Sequence, residues 1–201
     1  MSSLTRLQRD LAGDQAARRP TAIDAFELAR ETFLAGGRVD MNSLSTELGI
    51  NRATLYRWVG ARGQLLVEVL WDLTASALEA VDQQVDETGP ERVVQVASRM
   101  VDAVLADDGF RHFVAEEPFQ AVRLIASAGA GFEPRLVATF ERMLEEEREA
   151  GRLEAAVDTP TVAFAIVRVI GGCSYPALIS DQRLDIPMLQ AILRQLLRVD
   201  P

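Results

Sequence analysis

Between Met41 and Val59 the chain sets out side chains suited to reading a nucleic acid. Arg52, Ala53, Thr54, Tyr56 and Arg57 take the outward positions of one short helix. An arginine fork bridges O6 and N7 of guanine, an alanine or threonine methyl meets the thymine methyl, and threonine or tyrosine hydroxyls reach phosphate oxygens. These groups act only if a helix carries them into a groove, and the surrounding residues supply that frame. Asp40 caps a helix over 41–48, which Gly49 ends with the backbone freedom a tight turn needs. Asn51 caps a second over 52–59, which Gly60 ends. Ser45 is small where the two helices must cross. Leu44, Leu48, Ile50, Leu55 and Val59 recur at helical spacing on a shared core. The result is a helix-turn-helix, whose second member fits the major groove. On the residues alone, the alternative is an αα-corner that never meets nucleic acid.

The run Leu55-Tyr56-Arg57-Trp58-Val59, followed by Arg62 and Leu65-Leu66, resembles the signature of the TetR family of regulators. One helix ahead of it and the larger part of the chain behind agree with that resemblance. The motif likeness spans about residues 21–70; beyond them it lies in helix count and order. It implies a homodimer on double-stranded operator DNA, most commonly a repressor released by a small-molecule effector. By the same resemblance Tyr56 and Thr54 contact phosphates, while Arg52, Ala53 and Arg57 approach base edges. Asn42 would touch the backbone or a base, and Arg62 would stand for the family's usual lysine, a phosphate contact. Ala61 and Gly63 depart from the pattern, because neither caps the fourth helix, which is expected to start loosely. A narrower likeness joins Asp24-Ala25-Phe26, the run Ala53 to Gly60, and Glu117-Pro118 with Arg123. It is to the QsdR-like (quorum-signal-degradation regulator) branch, and it implies a lactone-like or acyl-chain effector.

Apolar periodicity, caps and breakers predict helices almost throughout and no alternating strand, hence an all-α fold. Residues 1–18 read as an arm, 19–65 as a DNA-binding domain and 66–201 as a ligand-binding and dimerisation domain. The 201 residues carry a net charge of −9, unevenly spread. Residues 1–62 hold nine arginines against seven acids, leaving −11 on the rest. A mildly basic front on an acidic back fits a head that meets DNA and a body that does not. Residues 1–20 lack the apolar stretch of a secretory signal, and Cys173 has no internal disulfide partner, so a cytoplasmic place is expected. The apolar stretch Thr161–Ile179 contains Arg168, Gly171-Gly172 and Pro176, which a lipid-facing helix would rarely hold; no membrane is expected.

The helix 133–150 sets Leu136-Val137, Phe140 and Met143-Leu144 on one face. With the apolar helix after Pro160 it could pair about a two-fold axis, which resembles the family's dimer. The apolar helix reads as buried all round except at Arg168, with Phe164 four residues back and Tyr175 seven on. Either Arg168 is the polar group of an effector cavity that Phe164 and Tyr175 help to line, or it is an internal salt bridge to a carboxylate such as Glu116 or Glu117. Arg123 with Phe119 one turn back is a second cavity candidate. Trp71, Met100, Phe110 and Phe113 are further ones, each also suited to plain core packing. One histidine, His112, and one cysteine leave no multi-histidine zinc site. No nucleophile elbow, phosphate loop or dinucleotide fingerprint appears, so neither an enzyme nor a metal or other cofactor is expected.

Overall fold

A computed structural model describes residues 19–127, 129, 131–154, 158–180 and 182–198; the expected arm, residues 1–18, lies outside them. The described residues form ten α-helices and no strand. In chain order they are α1 Ala22–Leu34, α2 Met41–Glu47, α3 Arg52–Val59, α4 Arg62–Asp82 and α5 Gly89–Ala106. Then follow α6 Asp108–Glu116, α7 Pro118–Ala126, α8 Phe132–Glu149, α9 Thr159–Ile179 and α10 Ile186–Leu197.

Local chemistry explains where these helices start. Thr21 and Asp24 exchange cap hydrogen bonds at α1, the Asp24 carboxylate accepting from the Thr21 amide at 2.6 Å. Asp40 accepts from the Asn42 and Ser43 amides at 2.9 and 3.0 Å, and Asn51 from the Thr54 amide at 2.8 Å. Each satisfies donors that a helix N-terminus leaves open. Gly49 and Gly60 take φ of 65° and 71°, the left-handed region that lets α2 and α3 stop within one residue. Ala61 has no capping side chain, yet α4 does not start loosely. The Gln64 side chain folds back and accepts from the Ala61 amide at 2.8 Å, half of a capping box.

Helices α1, α2 and α3 pack together around Ala25, Ala29, Phe33, Met41, Leu44 and Leu55, all buried. Leu48, Ile50 and Val59 lean on this core from its edge. Helix α4 leaves the head and runs along α5, α7 and α8. Three ion pairs hold it: Arg30 of α1 to Asp72, Arg135 of α8 to Glu68, and its own Arg62 to Glu117 at the α6–α7 junction. A fourth cluster ties α5 to both α4 and α8, because Arg92 donates to Asp82, Glu146 and the buried Glu147.

Helices α8 and α9 form the most extensive helix pair of the body. Leu136, Phe140, Met143 and Leu144 are spent on this packing within one chain; Phe140 is 0% exposed. The expectation that this face of α8 pairs with a second copy is therefore corrected. Helix α9 is also not buried all round. It is long and apolar enough to cross a membrane, and here it packs on α8, α7 and α10. Its opposite stripe, Phe164, Arg168, Gly172, Pro176 and Ile179, is exposed. Met188, Ile192 and Leu196 of α10 are exposed as well.

Candidate functional site

Cap and turn geometry present the outward face of α3 to solvent. Arg52, Ala53, Tyr56 and Arg57 are exposed, while Leu55 between them anchors the helix at 0% exposure. Thr54 is half-buried, and Asn42 is exposed at the start of α2. The Arg52 guanidinium lies 5.8 Å from the centre of the Tyr56 ring. Neither Arg52 nor Arg57 makes an ion pair among the described residues. The face therefore offers two uncommitted cations, a phenol and a methyl on a helix narrow enough for a major groove.

Arg62 is placed differently from an exposed phosphate contact. Its Nε donates to the Val39 carbonyl at 2.6 Å, and its two terminal nitrogens donate to Glu117 at 2.8 and 2.6 Å. This bidentate pair, joined by Arg38 at 3.8 Å, holds the Glu117 carboxyl below its ordinary value, the Arg62 hydrogen bonds being the main cause. Helix α6 touches the head at a second point. A Cβ on Gly109 would sit 2.3 Å from the Phe33 carbonyl oxygen, so only glycine lets α6 come this close to α1. The Phe33 and Phe113 rings meet nearby at 5.6 Å.

The body contains a small, half-open cavity of about 70 Å³ among α4, α5, α6, α7, α8 and α9. Its walls are mainly hydrocarbon, including Val101, Phe110, Leu136, Val167 and Ile170, and its polar side chains are Thr74, Glu133, Ser174 and Tyr175. Beyond Leu105, Phe110 and Leu178, which border both spaces, lies an open groove of about 770 Å³ against α10 and the segment before it.

Of the residues expected at a cavity, Tyr175, Met100 and Phe110 line it. Tyr175 lies over Gly171, where a Cβ would come within 2.9 Å of its ring, so the glycine makes room for that side chain. Burial, with Glu133 nearby, raises the Tyr175 phenol above its ordinary value and keeps it a proton donor. Arg168 is not in the wall. It is half-exposed, donates to Glu133 at 2.8 Å and lies 4.8 Å over the Phe164 ring. The salt-bridge alternative thus holds, with Glu133 rather than Glu116 or Glu117 as partner. Phe164 points outward with it. Phe119 is 79% exposed, and Arg123 is exposed and bonded to Gln120, because that face of α7 turns to solvent. Trp71 stands edge-on to Phe132 and borders a groove between head and body, and Phe113 faces Phe33. Ser174, Glu133 and Thr74 also line the cavity, and helical periodicity does not single them out. A serine in an apolar run and a glutamate at the start of an apolar helix face were the available signals.

Residues 88–198 match the protein family described as tetracyclin repressor-like, C-terminal domain. The chain is similar to the solved structure of the transcriptional repressor QsdR from R. erythropolis, of the TetR family. The two share 28% sequence identity over 90% of this chain and 95% of that one, with a TM-score of 0.84. A TetR transcriptional regulator from Rhodococcus sp. RHA1 shares the fold at 20% identity, over 89% of this chain and 91% of that one, with a TM-score of 0.57. No curated protein matches the chain.

Proposed function

The chain belongs to the TetR family of DNA-binding transcriptional regulators, and from that premise we propose that it is a repressor released from its operator by a small-molecule effector. In this reading residues 19–65 form the DNA-binding head and 66–201 the effector-binding and dimerisation body. Arg52, Ala53 and Arg57 read base edges, while Tyr56, Thr54 and Asn42 hold the backbone. Arg62 serves Glu117 in the DNA-free protein and is left out of the contact set. The likeness to a repressor supports the direction of regulation, and the mainly hydrocarbon cavity supports a lactone-like, acyl or comparably apolar effector.

The observation that carries this reading is the double engagement of α6. Phe110 lines the cavity, while Gly109 and Phe113 press on the head and Glu117, just past the helix, grips Arg62. A molecule that prefers a shifted α6 therefore also biases the position of the head, by its differential affinity for the two arrangements. Two heads must be held at once, with half-sites about 34–36 Å apart or a multiple of that. The exposed apolar stripes of α9 and α10, around Phe164, Ile179, Met188 and Ile192, suit a second copy better than solvent.

The test is binding of the purified protein to a duplex from its own promoter, followed by fluorescence anisotropy. Wild type should bind as a dimer, Tyr56→Ala/Arg57→Ala should lose at least a hundredfold, and Ile192→Glu should sediment as a folded monomer with weak binding. Equal affinity of wild type and the double variant would overturn the assignment of α3.

A further inference from the structure

The Ser174 hydroxyl is, among the described residues, the buried side-chain oxygen with no hydrogen-bond partner. Thr74, Ser98 and Thr139 donate to carbonyls four residues back, at 2.8, 2.8 and 3.0 Å, the usual fate of a hydroxyl on a helix. Ser174 does not, although its residue is only 7% exposed and it lines the cavity. An unpaired buried hydroxyl is rare enough to point to a partner from outside the chain. Glu133 lines the same cavity. One of its oxygens is held by Arg168, and the other has no hydrogen bond among the described residues. A donor-and-acceptor group and a bare acceptor thus share an otherwise apolar space.

Building on the effector reading above, we propose that this cavity takes an uncharged, largely hydrocarbon molecule bearing a hydroxyl group. That hydroxyl accepts from Ser174 and donates to Glu133, which completes both hydrogen-bonding sets. Net charge on the molecule is disfavoured because the Glu133–Arg168 pair is already balanced. A carboxylate would face Glu133, and an ammonium would bring a positive charge that the already balanced Glu133–Arg168 pair leaves uncompensated in apolar surroundings. An ether or ketone accepts from Ser174 but offers Glu133 nothing. About 70 Å³ admits only the head of such a molecule; a longer chain reaches the open groove once Leu105, Phe110 or Leu178 rotates aside.

Calorimetric titration of the full-length protein with four probes of one length tests this assignment: 1-hexanol, its ether isomer 1-methoxypentane, hexanoate and hexylammonium. 1-Hexanol should bind at least tenfold more tightly than each of the others. Ser174→Ala should erase that preference without lowering the Tm of the unliganded protein, since it removes a hydroxyl that has no partner. Tighter binding of the ether or of either ion, or a preference that survives Ser174→Ala, overturns the hydroxyl assignment and leaves the effector cavity standing. Should Ser174→Ala fail to fold, the wild-type ranking of the probes still decides, as does Ser174→Cys, which keeps the size and weakens the hydrogen bonding. Failure of all four to bind wild type overturns the cavity reading as well.

Discussion

The arginines on the outer face of α3 and those placed between helices share one chemistry and are used in opposite ways. On α3, Arg52 and Arg57 stand in solvent with no ion pair among the described residues. At the junction of head and body Arg62, and within the body Arg92, Arg135, Arg168 and Arg194, each hold a carboxylate at 2.6–2.9 Å. In the proposed reading, the charges that meet DNA are the ones left without a carboxylate partner among the described residues. Charges elsewhere lash helices together, as Arg92 does between α4, α5 and α8. Residue type therefore announces that a cation is present, and only its neighbours announce what the cation is for.

Removing a partner where the arginines are most committed should have the largest effect. Glu147 is 1% exposed and accepts from Arg92, Arg152 and the Gly89 amide. Burial pushes its carboxyl up, but those three hydrogen bonds together outweigh burial and hold it at about 2, against an ordinary 4.5. Glu147→Gln should cost about 3–5 kcal/mol, as for breaking a buried pair, measured by denaturant unfolding. The folded value is depressed, so the contribution is complete above about pH 4.5 and is lost as pH falls toward 2. The gap between wild type and variant should close over that window; a gap independent of pH would show that the carboxylate's charge is not what stabilises.

Arg52→Ala should do the reverse of Glu147→Gln. Stability should stay within about 0.5 kcal/mol, while discrimination at one operator base pair falls by about 1–3 kcal/mol. Unchanged discrimination in a competition assay would remove Arg52 from the reading set. The smallest effect belongs to the boundary between the two regions. Glu117→Gln frees Arg62 from its carboxylate partner, with a stability loss of about 1 kcal/mol or less for so accessible a pair. Operator affinity should rise a few-fold at low salt, with a salt slope steeper by about one phosphate. An unaltered slope would mean that Arg62 has no phosphate within reach.

Much of the head was legible because its signals are local. Asp40, Gly49, Asn51 and Gly60 act on the next few residues only, and each acts in the structure as its chemistry requires. The bounds of α2 and α3 follow from the same short-range rules, within about one residue. The body was legible as a set of helices and not as a site. Periodicity identified Phe140 as apolar but could not say that α9 of the same chain, rather than a second copy, covers it. It placed Phe119 beside Arg123 on one face without showing that this face meets solvent.

The sequence by itself determined the all-α class, the order of the helices and the outward residues of α3, because caps, breakers and a 3.6-residue period act within one turn or two. Only the tertiary structure decided the fate of Arg62 and Arg168. Their partners, Glu117 and Glu133, lie 55 and 35 residues away along the chain, and thirty carboxylates compete for twenty-one arginines. No local rule chooses among so many. The choice is made when helix packing brings two particular groups within hydrogen-bond distance, and the same packing leaves the Ser174 hydroxyl with none among the described residues.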